Sequence, residues 1–201
     1  MPLVCHPATP CAHALQLSVS LAMAGGVTGS EPSAGLLLRY ALTGDVPALS
    51  VPAPATPGAA DGLWQHTCFE AFVAVPGEPA YREFNFSPSG QWAAYRFFDE
   101  RVRDATAETA QLPVTPQMDL AVQAHALVLQ VWLPSSALPP TLPGEALQLG
   151  LSAVLEDQRG QLSYWALQHP AERPDFHHRG GMALSLALPF FDPPPVSQHT
   201  P

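Results

Sequence analysis

Glu70, Glu83 and Asn85 lie among aromatic side chains in the stretch from Asp61 to Phe98. It reads DGLWQHTCFEAFVAV, breaks at Pro76-Gly77, and resumes as YREFNFSPSGQWAAYRFF. Trp64 and Trp92, two of the four tryptophans, fall within it. Such a set suits a sugar. The apolar face of a pyranose stacks on an indole or phenol ring, while carboxylate and amide groups satisfy its hydroxyls by directional hydrogen bonds. The competing reading is that Trp64 and Trp92 fill core space and that Glu70 pairs with an arginine such as Arg96. Glu70 and Glu83 also have the chemistry of a glycosidase carboxylate pair. Exposed glutamates are common on β-strands, however, and no catalytic residue is assigned.

A second concentration of reactive types is LQHPAERPDFHHRGG, which holds His169, Glu172, Asp175, His177 and His178. Imidazole and carboxylate together suit a divalent metal, with His169, Asp175 and His177 as the candidates and His66 and Cys68 as further neighbours. The spacing matches no HExxH-type site, and adjacent His177 and His178 are poorly arranged for one ion. The expectation is therefore an ordered loop without metal. Haem ligation through Met118 or Met182 and a histidine is the other option, but both methionines sit in core-like strand patterns. No Ser-His-Asp set, P-loop or dinucleotide fingerprint is present, so no cofactor is expected.

Alternate strand residues share a face. Thr67, Phe69, Ala71, Val73 and Val75 read as core, which turns Cys68, Glu70 and Phe72 the other way. Phe84 and Phe86 read as inward, leaving Tyr81, Glu83 and Asn85 opposite. If these strands are neighbours, Glu70, Glu83 and Asn85 share one face. They form a site only if that face is accessible and includes a tryptophan.

The surrounding elements are strands as well. Period-two alternation runs through 14–22 (Leu15, Leu17, Val19, Leu21) and 35–43 (Leu36, Leu38, Tyr40, Leu42). Further strands are expected at 66–75, 81–87, 91–98, 118–124, 126–133, 148–156, 161–167 and 182–188. Ser87-Pro88-Ser89-Gly90 and Asp157-Gln158-Arg159-Gly160 supply turns. Gly25-Gly26 and the 29–35 region also read as turn, 46–60 as an extended Pro-rich connection, and 105–110 as one helical turn. About ten short strands with Pro/Gly punctuation and no helical period point to an all-β, immunoglobulin-like antiparallel sandwich. Residues 14–190 form its single domain, between an irregular lead-in (1–13) and a Pro-rich tail (191–201).

Composition narrows the partners. The chain has 201 residues, 47% hydrophobic and 12% charged, against about 25% charged in a typical domain. The net charge is −9, with no basic run to neutralise phosphates or anionic lipid, so neither nucleic acid nor membrane is expected as a partner. No protein partner is legible. Three cysteines make an odd number and include no CxxC pair. The apolar run 14–24 alternates and lacks a charged n-region, so it reads as strand rather than export signal, and the expected location is cytoplasmic.

The motifs DGLWQHTCFEAFV, YREFNFSPSGQWAAYRF, LSAVLED and LSYWALQHPAERPDFHH together resemble the DOMON-like superfamily. They are most similar to its bacterial cytoplasmic branch, related to carbohydrate-binding module family 9. The resemblance implies a β-sandwich whose relatives bind sugars or haem without catalysis. It also implies ligand contacts at Trp64, Glu70, Glu83, Asn85, Trp92, Tyr164 and Trp165, to which the residue reading adds His169. The expected ligand is a saccharide.

Overall fold

Alternating apolar and polar residues build nearly the whole chain into strands. The computed structural model describes residues 1–28, 31–106, 108, 115–142 and 145–187. In chain order the strands are β1 (Pro2–Cys5), β2 (Leu15–Thr28), β3 (Glu31–Gly44), β4 (Gly58–Ala59), β5 (Cys68–Ala74), β6 (Tyr81–Phe86) and β7 (Gln91–Asp99). They continue as β8 (Val102–Arg103), β9 (Gln117–Gln123), β10 (Ala126–Pro134), β11 (Ala146–Glu156), β12 (Leu162–Ala166) and β13 (Leu184–Ala187). All ten expected strands are present. The SPSG turn closes as expected, with Gly90 N–H donating to Ser87 O at 3.0 Å. The helical turn is seen at 105–106 and 108, where Glu108 N–H reaches Asp104 O at 3.1 Å.

The architecture is all-β, but it is not two separate sheets. The strands form one hydrogen-bonded path, β4-β7-β6-β5-β11-β12-β1-β2-β3-β10-β9, with β13 joined to β11 and β8 to β7. The path curls over on itself, and the inner faces share one core. Leu17, Val19, Leu38, Tyr40 and Leu129 from one half meet Phe69, Phe84, Phe86, Leu149 and Leu151 from the other. Tyr40 ties the halves together: its ring lies 5.1 Å from that of Phe69 and its hydroxyl donates to Glu70 O at 2.7 Å.

Continuity runs through β1, in the segment expected to be irregular. Leu3 pairs with Leu17 of β2, and Cys5 pairs with Trp165 of β12. Pro7 and Pro10 limit this strand to four residues, too few for alternation to register. The expected turn at Gly25-Gly26 is also overturned, because β2 and β3 stay paired from Leu15 and Gly44 to Thr28 and Glu31. Gly26 and Gly35 serve close approach instead. A Cβ at either position would overlap the Trp132 indole, and at Gly35 it would also meet Leu133 O. The expected tail 191–201 lies outside the described residues, as does Leu188 of the closing strand.

Gly35→Ala should accordingly cost about 1–3 kcal/mol of unfolding free energy through overpacking. Gly25→Ala, where nothing lies within 4 Å of an added Cβ, should change stability far less. Comparing urea midpoints of the two variants tests the close packing of Trp132, which equal midpoints would contradict.

Candidate functional site

Strands β5 and β6 are buried along their whole length on both faces. One face joins the main core. The other meets a second apolar cluster of Phe72, Ala74, Tyr81, Ala93, Tyr95, Phe97 and Met182, capped by Leu63 and Phe176. Residues outside the sheet make this cover: the short turn Leu63–Gln65 and the Pro-rich segment leading to Met182. Register places the polar residues under it. Glu70 lies opposite Asn85 on β6 and Ser152 on β11, while Glu83 lies opposite Phe72 and Tyr95. Glu70 and Glu83 are thus diagonal neighbours on one face, about 7 Å apart at that spacing.

The cover is incomplete and leaves a cavity of about 610 Å³, within the usual range for small-molecule sites. Glu70, Glu83, Phe72, Tyr95, Phe97, Arg103, Val154 and Tyr164 line it from the strands, and Asp61, Trp64, Arg101, Pro174, Phe176 and His177 from the connections. Gly62 has φ 73°, a left-handed turn that suits glycine, and the turn carrying Trp64 follows it. Trp64 remains 48% exposed, whereas Glu70 and Glu83 are 3% and 5% exposed. Tyr164 and Phe176 form a further aromatic wall, with ring centroids 5.9 Å apart.

Of the predicted contacts, Trp64, Glu70, Glu83 and Tyr164 therefore converge. Asn85 is fully buried and acts through Glu83, donating from Nδ2 to Glu83 Oε1 at 2.9 Å. Trp92 and Trp165 do not converge. Both pack against the main core, because each stands out of phase with the cleft residue of its strand, Tyr95 in one and Tyr164 in the other. The Trp165 indole N–H is satisfied by Ser163 Oγ at 3.0 Å. His169 is also outside, with Nε2 2.7 Å from Val4 O and its ring edge-on to His6.

The metal candidates are dispersed. His169 faces Val4, Asp175 accepts from Arg101 Nη2 at 2.7 Å, and His177 turns into the cleft. Among the described residues no three His, Cys, Asp or Glu side chains are placed to hold an ion. The imagined Glu70–Arg96 pair is absent too, since Arg96 Nε is directed at Asp104 Oδ2, 3.9 Å away.

Burial governs the electrostatics. Desolvation, reinforced by Glu83, holds the Glu70 carboxyl well above the ordinary carboxylate range. Desolvation raises Glu83 to about 7, against the opposing pull of Asn85, Arg103 and Arg101. His177 is pushed down to about 4, first by burial and then by Arg101. Arg101 N–H donates to Tyr81 Oη at 3.0 Å, and the same hydroxyl is hydrogen-bonded to His177 Nδ1 at 2.8 Å. The other ring nitrogen, Nε2, faces Glu83 Oε2 at 3.8 Å. Arg101 adopts a left-handed φ of 57°, sparsely populated by non-glycine residues. Arg103 grips Glu108 through Nε and Nη2 at 2.8–3.0 Å and lies 4.2 Å over the Tyr95 ring, whose hydroxyl donates to Asp61 at 2.8 Å.

Sequence reasoning missed Tyr95, Arg101, Arg103 and Asp61 as cleft residues. Only Tyr95 had a readable signal, its parity along β7. The others depend on how two-residue β8 and the connections fold back.

No family model matches the chain, and no curated protein matches it. Among solved structures, a protein of Bacteroides uniformis ATCC 8492 described as a "putative carbohydrate-binding protein" aligns over 88% of this chain and 80% of its own, with a TM-score of 0.57 and 19% identity. This chain shares that protein's fold. Among the described residues, no helix is long and apolar enough to cross a membrane.

The carboxyl shifts set a pH dependence. A carboxyl whose folded pKa is raised adds stability below its ordinary value of 4.5 and loses it as pH climbs through about 7. His177 acts oppositely: its contribution is complete above 6.5 and is lost as pH falls toward 4. The two oppose each other below 6.5, and above it the carboxyl effect stands alone. Stability should therefore fall between about pH 6.5 and 8. Glu83→Gln should be on the order of 1–3 kcal/mol more stable than wild type at pH 8 and equal to it at pH 4.5. Denaturant melts at the two pH values check this, and a variant parallel to wild type would refute the raised carboxyl.

Proposed function

We propose that the chain is a non-catalytic binding protein whose cleft takes a saccharide or a similar polar ligand. The decisive observation is a half-exposed tryptophan, Trp64, lining the same cavity as two buried carboxyl groups, Glu70 and Glu83. A sugar's C–H face packs on Trp64 or Tyr164, while its hydroxyls exchange hydrogen bonds with the carboxyls in a partly desolvated space. The shared fold with a protein described as carbohydrate-binding supports this reading. So does the motif resemblance to the DOMON-like superfamily and carbohydrate-binding module family 9.

The electrostatics support the non-catalytic reading. Acid–base chemistry at a carboxyl pair works when the environment separates the two pKa values into one acid and one base. Here both groups are pushed up. The reading also places the protein in the cytoplasm, where the free thiols of Cys5, Cys11 and Cys68 suit a reducing compartment.

Titration calorimetry against a panel of mono- and disaccharides tests the proposal. At least one should bind, and Trp64→Ala should weaken it at least tenfold, about 1.4 kcal/mol, while leaving the melting temperature nearly unchanged because the indole is half solvated. If no saccharide binds, or if Trp64→Ala alters only stability, the reading fails. Release of reducing ends from a bound disaccharide would make the protein an enzyme instead.

A further inference from the structure

The cleft has an excess of negative groups. Its two arginines are matched already: Arg101 is paired with Asp175, and Arg103 with Glu108 and, at 3.9 Å, Asp61. His177 is held neutral, its Nδ1 occupied by the Tyr81 hydroxyl. Arg101 and Arg103 act on Glu83 from a distance, and no arginine among the described residues makes an ion pair with Glu70 or Glu83.

Glu70 stands out. Its side chain is 3% exposed, lines the cavity and makes no hydrogen bond or ion pair among the described residues. The residues directly across from it are also incompletely satisfied: Asn85 Oδ1 and Ser152 Oγ are buried without a partner. Buried polar atoms are nearly always paired; of these three residues Glu70 lines the cavity, and its unpaired carboxyl leaves room for a donor-rich group there. Glu83 is half-served. Asn85 donates to Oε1, whereas Oε2 has only His177 at 3.8 Å, beyond hydrogen-bond reach.

The aromatic lining adds a second requirement. Trp64, Phe72, Tyr95, Tyr164 and Phe176 surround the carboxyls, and aromatic faces attract cations with a strength that grows as water is excluded. Burial pushes Glu70 and Glu83 toward their neutral forms; a bound cation favours the ionised forms, whereas neutral hydroxyls do not, and a ligand carboxylate would be repelled. A primary ammonium supplies three donors, one positive charge and no acceptor.

We propose that the cleft selects a cationic sugar, an amino sugar whose ammonium group is held by Glu70 and Glu83 within the aromatic wall. The sugar half of this assignment rests on the saccharide reading above; the charge half rests on the cleft alone.

The experiment compares isosteric pairs by calorimetry at pH 7: D-glucosamine against D-glucose, and D-galactosamine against D-galactose, with choline as a cation that lacks the sugar ring. At least one amino sugar should bind tenfold or more tightly than its hydroxyl counterpart. Glu70→Gln and Glu83→Gln should each reduce that ratio toward one by weakening the amino sugar alone. Both substitutions preserve shape, and a melting curve verifies folding. Equal or tighter binding of the neutral sugars overturns the charge selectivity and leaves the saccharide reading standing. Binding of choline without any sugar, lost on Glu83→Gln, upholds cation selection and removes the saccharide reading. If no probe binds, the amino-sugar assignment fails, while the saccharide reading still turns on the wider panel of mono- and disaccharides.

Discussion

Two-sided burial of β5 and β6 is the constraint on which the rest of the structure depends. A strand pair in the middle of a curled sheet has one face committed to the shared core, and here that face carries Phe69, Ala71, Phe84 and Phe86. The alternation that places them inward forces Glu70 and Glu83 onto the opposite face. In an ordinary one-sided sheet those carboxylates would be solvated. In this chain the 63–65 turn and the segment around Phe176 cover them, so their charge is costly unless something compensates it.

The unusual features of the cleft follow from that cost. Both carboxyls are pushed toward their neutral forms, and His177 toward neutrality beside them. The arginines stay at the mouth, each held by its own carboxylate, and do not reach in to neutralise the floor. Arg101 sits in a left-handed conformation while its amide supports the Tyr81–His177 hydrogen bond. Strain and unpaired polar atoms collect beside the cleft. Such a concentration is more characteristic of a binding surface than of packing.

Much of the fold was legible because strand alternation is a local signal. Ten strands, the SPSG and Asp157–Gly160 turns and the sidedness of Glu70, Glu83 and Asn85 were all readable from residue order. Short pieces escaped: β1, β4 and β8 have four, two and two residues, below any usable period. The two-sheet expectation failed for the same reason, since four-residue β1 is the strand that joins the halves into one path. Gly26 and Gly35 were read as turn residues because glycine's local meaning is conformational. Their role is steric, and the Trp132 ring that imposes it is about a hundred residues away in sequence.

For the site, residue order determined parity and chemical type: which side chains share a strand face, and that carboxyls and aromatics alternate there. It could not say which aromatics stand over the carboxyls. Trp92 and Trp165 resemble Trp64 in composition and context, yet parity on their own strands sends them into the core, and Trp64 reaches the cleft only through a left-handed turn at Gly62. Tertiary structure alone decided that His177 joins the cleft while His169 and Asp175 face elsewhere, and that a second layer covers the glutamates. The physical reason is one of range. Alternation is set by neighbouring residues along a strand, whereas burial, and with it every shifted carboxyl in the cleft, is set by segments far apart in sequence that meet only after folding.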